Sequence, residues 1–182
     1  MRTKSTRITI LLLLGVGIAF FLLPSCEKIK EATNIKFKYD LPDVTTSIDS
    51  SSLLKTELVL FSSPFTVNID SIIGTNTGYL KYISFYKLRF TINAPNLENL
   101  DWLSSARATL MSEGSSPIEL APSATINSKE RTVDFLLNDV DISSAIRKPF
   151  VLSIYGNING PIPVASVQIL VQSGLQITVN PF

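Results

Sequence analysis

The 182-residue sequence contains no histidine and a single cysteine, Cys26. Without imidazole the chain lacks the commonest general base and the commonest transition-metal ligand. A lone thiol has no partner for a disulfide within the chain. Zinc sites, Ser-His-Asp triads and Cys-His dyads therefore cannot be assembled from this chain by itself. Internal repeats, heptads and low-complexity tracts are missing as well. No cofactor is expected.

What is present begins with charge and grease. Arg2, Lys4 and Arg7 precede Ile8 to Leu23, a run interrupted only by Thr9 and two glycines. Basic residues before an apolar core are the layout of a secretory signal. The run falls short of the roughly 20 apolar residues a membrane span needs, and Pro24 stops it. Leu23-Pro24-Ser25-Cys26 then resembles the lipobox of bacterial lipoproteins, with an apolar residue three before the cysteine and a small one directly before it. Pro24 stands where that family usually carries a small residue. The resemblance implies cleavage before Cys26 and acylation of its sulfur and its freed amine. Each buried methylene contributes about 0.8 kcal/mol, and one chain alone holds only marginally. The three acyl chains that the resemblance implies would hold essentially permanently.

Residues 1–25 are thus expected to be a cleaved signal peptide, 26–33 a short polar tether, and 34–182 one domain. Seven residues, Glu27 to Thr33, reach about 25 Å fully stretched and average nearer 15 Å as flexible coil. Losing Arg2, Lys4 and Arg7 leaves 13 basic against 15 acidic side chains, a net charge of −2. No basic excess remains to neutralise phosphates, so nucleic acid is not expected as a partner. A chain this long buries roughly 70% of its unfolded surface in one core without cross-links.

Period-2 alternation dominates the domain. Ile35, Phe37, Tyr39 and Leu41 alternate with Lys36, Lys38 and Asp40. "TELVLF" and Phe65 to Ile69 read as strands, and Asp70 is expected to cap a helical turn over 71–73, closed by Gly74. The longest β signal runs from Gly78 to Pro95, with Leu88, Phe90 and Ile92 facing one way. Strands are also expected at Ala106–Met111, Arg131–Leu137, Phe150–Gly156 and 164–180, the last broken or bulged at Ser173-Gly174. Asp141 is expected to cap a short helix through Arg147. Eight or nine short strands separated by Gly, Pro, Asn and Ser clusters predict an all-β antiparallel β-sandwich, jelly-roll or immunoglobulin-like. A lipobox, "SCEK" and a β-rich domain of this size resemble the small envelope lipoproteins of the Bacteroidota; only Cys26 carries over as a functional residue.

Three constellations call for weighing. Ser52-Leu53-Leu54-Lys55 has serine–lysine acylase spacing but lacks the companion motifs S-D-N and K-T-G. Asp134, Asn138, Asp139 and Asp141 are the densest set of hard oxygen ligands, against which strand-end and cap roles compete. Tyr79, Tyr82, Phe85, Tyr86 and Trp102 gather along one strand and the loop after it, a candidate glycan-stacking set or simply core. No pair among the 15 carboxylates is singled out for retaining hydrolysis. The expectation is a non-enzymatic, lipid-anchored outer-membrane module that binds a protein or glycan partner. A structural subunit of a cell-surface assembly is the alternative, and a carboxylate-dependent hydrolase a third.

Overall fold

A computed structural model describes residues 34–49, 57–74, 80–93, 99–127, 129–160 and 166–180. The lipobox, the tether, Ser52–Lys55 and Tyr79 lie outside them. Residues 36–179 form one compact unit, which carries the sandwich.

Among the described residues nine strands form in chain order: β1 Ile35–Asp40, β2 Val44–Asp49, β3 Glu57–Phe65, β4 Leu80–Ile92, β5 Leu103–Ser112, β6 Ile118–Thr125, β7 Thr132–Asp134, β8 Phe150–Ile158 and β9 Ser166–Val179. Sheet A runs β1-β9-β4-β7, with β2 also on β9; sheet B runs β3-β8-β5-β6. β4 pairs with residues 169–179 of β9 along one edge. β2 takes residues 166–171 on the opposite edge, so β1 and β2 act as one strand broken at Pro42. Counted that way, two four-stranded sheets face each other, and β5–β6 is the only hairpin between sheet neighbours among the described residues. Every other connection crosses or skips, which is the double Greek key of a jelly roll. An immunoglobulin-like sandwich would hairpin far more often.

The alternation read from the sequence becomes the core. In β9, Val167, Ile169, Val171, Leu175 and Ile177 point inward, as do Ile83, Phe85, Leu88, Phe90 and Ile92 in β4. Sheet B answers with residues such as Phe61, Leu110, Leu152 and Ile154, and Phe65 stacks on Phe150 at 5.7 Å between centroids. Inner faces of two twisted sheets interdigitate in this way across about 10 Å.

Local expectations differ from the structure at four places. β3 stops at Phe65, and Ile69–Ile73 is a helical turn (α1) capped by Asn68, not Asp70; the Asn68 side chain accepts the Ser71 N–H at 3.0 Å. β7 ends at Asp134, and from Phe135 the chain continues as a strap over the side of the sandwich. That strap is tied by Phe135 N–H to Leu88 O, Asn138 N–H to Leu120 O and Ile142 N–H to Ile83 O. Asp141 caps as expected, accepting the Ser143 N–H at 2.9 Å, but turns succeed it rather than a helix. The irregularity expected at Ser173-Gly174 sits on the opposite strand. Gly174 pairs with Lys87 and Leu175 with Phe85, leaving Tyr86 as the extra residue of a bulge in β4 while β9 runs unbroken.

Candidate functional site

The outer face of sheet A holds some of the residues the sequence singled out. Tyr82 and Tyr86 lie on it; Phe85, one position from Tyr86, is 5% exposed and belongs to the core. Trp102 is 3% exposed, and its indole N–H has no partner among the described residues. Phe85 and Trp102 are therefore removed from the stacking set: the pleat of β4 turns Phe85 inward, and Trp102, in the turn just before β5, is buried in the core. Tyr86 packs on Gly174, where a Cβ would strike its ring, and the Lys38 ammonium sits 4.5 Å from the ring centroid. Its hydroxyl donates to Asp40, and that bond, with burial second, raises its pKa. A ring held between a glycine and a lysine has little face left for a sugar.

The expected oxygen-ligand cluster is dispersed. Asp134 makes a two-pronged ion pair with Arg89 at 2.6 and 2.9 Å. The Asn138 amide donates to Glu119 O at 3.4 Å. Asp139 accepts from the Tyr82 hydroxyl at 2.8 Å. Burial first, then that bond and the two neighbouring carboxylates, push Tyr82 up to about 12. Asp141 accepts the Ile83 N–H at 3.2 Å together with its Ser143 bonds. Among the described residues no three carboxylates are placed to hold a metal ion. Asp134 ties β7 to β4 instead, and Asn138, Asp139 and Asp141 fasten the strap to the sheets.

Asp141 gives a pH prediction. Burial pushes its pKa up, but the Ser143 and Ile83 hydrogen bonds outweigh it and hold the carboxyl below its ordinary 3.8. The native state thus binds this proton less readily than the unfolded chain. The stability Asp141 lends is present above about pH 4 and fades as pH falls through the native value. Asp141→Asn should lower stability near neutrality and flatten its decline on acidification, checked by urea titrations at a series of pH values. An unchanged acid slope would contradict this role.

Sheet B presents a different outer face, which the sequence did not single out. Strand register stacks its outward side chains in rows. Glu57, Asn157 and Ser105 form one row; Val59, Tyr155 and Arg107 the next; then Ser62, Ser153 and Thr109, with Glu119 beyond; then Pro64, Val151 and Met111. Val59 and Met111 are 50% and 46% exposed. Arg107 donates to Glu57 at 2.8 Å and lies 4.3 Å over the Tyr155 ring. That hydrogen bond raises the Arg107 pKa and lowers that of Glu57. Beside the last row, Pro64, Met111, Pro149 and Val151 line a cleft of about 270 Å³ closed by the Glu113-Gly114-Ser115 turn. Alternation within "ARATLM" and "FVLSIYG" puts Arg107 with Met111 and Val151 with Tyr155. Only the strand order brings the two pairs together.

No protein-family model matches the chain, and no curated protein matches it. Among solved structures it is similar to Desmodium yellow mottle tymovirus, at 11% identity over 82% of this chain and 90% of that one, TM-score 0.31. It is similar to the infectious bursal disease virus VP2 subviral particle at 12% identity and TM-score 0.40, over 81% of this chain but only 33% of the VP2 chain. Turnip yellow mosaic virus matches at 14% identity over 81% and 96%, TM-score 0.24.

Proposed function

We propose that this chain is a lipid-anchored outer-membrane lipoprotein whose jelly roll is a non-catalytic binding or assembly module. The observation that carries the anchor is Leu23-Pro24-Ser25-Cys26, with the chain's one thiol directly after a basic and apolar run. The outer face of sheet B supports a protein partner over a glycan. Tyrosine, arginine and methionine are enriched at protein interfaces, and Arg107 already covers a face of Tyr155.

A structural subunit of a fibre, built by adding strands edge to edge, is less favoured. Each sheet edge among the described residues is blunted: Pro42 interrupts β1 and β2, Pro64 lies in β3, Pro122 in β6, and β7 has three residues. Proline and brevity are the usual protections against edge pairing. A carboxylate hydrolase draws no support from Asp134, Asp139 and Asp141, each of which is engaged in a tie of its own.

Cys26→Ser should move the protein from the membrane to the soluble fraction and abolish acyl mass at the mature terminus, read by fractionation and intact mass spectrometry. Equal membrane retention with no change of terminal mass would overturn the anchor.

A further inference from the structure

The outer face of sheet B is complementary to itself. Its central row, Ser62, Ser153 and Thr109, is short and hydroxylic, with Ser62 Oγ 3.2 Å from Ser153 Oγ. On one side stands a ridge, Val59, Tyr155 and Arg107; on the other lie Pro64, Val151, Met111 and the apolar cleft. A two-fold axis along the central row lays each ridge over the other copy's cleft. Strand by strand, β8 meets β8, so Tyr155 comes to the partner's Val151. Arg107 comes to the partner's Met111, with the partner's Glu113 at the rim. An isologous dimer requires this arrangement, one patch carrying both knob and hole.

We propose that this face is a homodimer interface in which Tyr155 of each copy enters the cleft between Pro64, Met111, Pro149 and Val151 of the other. The volume permits it, since a cavity of about 150 Å³ already takes a benzene ring and the cleft offers about 270 Å³. The charges permit it: Arg107 arrives already ordered by Glu57 and meets a second carboxylate, Glu113. The area is adequate. Four strands about 4.8 Å apart and four rows about 6.8 Å apart project roughly 500 Å². Side-chain relief and two inserted rings bring this toward the ~800 Å² per partner of a standard interface. The small central row lets the faces close, and the blunted edges disfavour self-association by strand addition. A second copy as partner rests on the binding role proposed for this face and is independent of the anchor. Failure to dimerise would leave the Cys26→Ser result untouched.

The full chain, solubilised in mild detergent, is measured by sedimentation and native mass spectrometry. A mass of two chains is expected. Tyr155→Asp and Met111→Lys should each weaken the dimer by roughly thirtyfold or more, the fold-change of a ~2 kcal/mol hot spot. As both residues point outward, the melting transition of the separated chain should be preserved. Ser62→Cys, on the axis, should link copy to copy through a short bis-maleimide, with the link mapped to residue 62. Gln176→Cys, on the outer face of sheet A, should not link. A single-chain mass at micromolar concentration would overturn the proposal. So would a dimer unaffected by both substitutions, or one linked through position 176 and not 62.

Discussion

Phe90→Ala should remove about 3–5 kcal/mol of stability, the usual cost of deleting a fully buried phenyl group. Phe90 is 0% exposed, pairs with Val171 on one side and Val133 on the other, and lies 6.2 Å from the Phe135 ring, tilted by 45°. It therefore joins the centre of sheet A to its short edge and to the root of the strap. Neighbours on both sides are fixed by strand pairing, so collapse into the void is restricted and the cavity cost is retained. Leu136, one residue beyond Phe135 and 81% exposed, is the control; Leu136→Ala should change stability by no more than about 0.5 kcal/mol. Urea midpoints at constant slope measure both. A loss below about 1 kcal/mol at Phe90 would mean that β4 does not present this face to the core.

Gly156→Ala is expected to cost about 1–3 kcal/mol through overpacking. A Cβ there would lie 2.6 Å from Leu103 Cδ1 and 2.7 Å from Leu60 Cδ1, and both leucines are buried between the sheets. Gly156 sits in β8 between Leu58 and Ala106, where two neighbouring strands fix the backbone. Neither leucine can withdraw without displacing others in a close-packed interior. Gly174→Ala makes an equally tight contact with a different outcome. Its obstacle is the partly exposed Tyr86 ring, which can swing toward solvent at the loss of its bond to Asp40. That change should cost about 1 kcal/mol, the scale of one hydrogen bond. Thermal or urea unfolding of both variants checks the order, and a larger loss at Gly174 would refute it.

Strand existence was legible wherever hydrophobic residues alternated. Leu88, Phe90 and Ile92 are inward in β4, and Ile169, Val171 and Ile177 are inward in β9, as their spacing requires. Asp141 was legible as a cap because an aspartate ahead of Ser143 has a short side chain able to reach a local N–H. Asn68 and Asp70, two residues apart, are both types that can cap, and only the backbone decides which one stands outside the turn.

By itself, the sequence determined the class of fold, the inward faces of its long strands, and the chemistry open to a chain with no histidine and one cysteine. Those properties come from periodicity and composition, which are local and countable. Tertiary structure alone decided that the sandwich is a jelly roll, that the bulge belongs to Tyr86, that Trp102 is core, and that Tyr155 and Arg107 share a face with Met111. The reason is the same each time. Strand neighbours in this topology lie far apart in the chain, as with Arg107 and Tyr155, and pairing between remote segments leaves no trace in the spacing of either one.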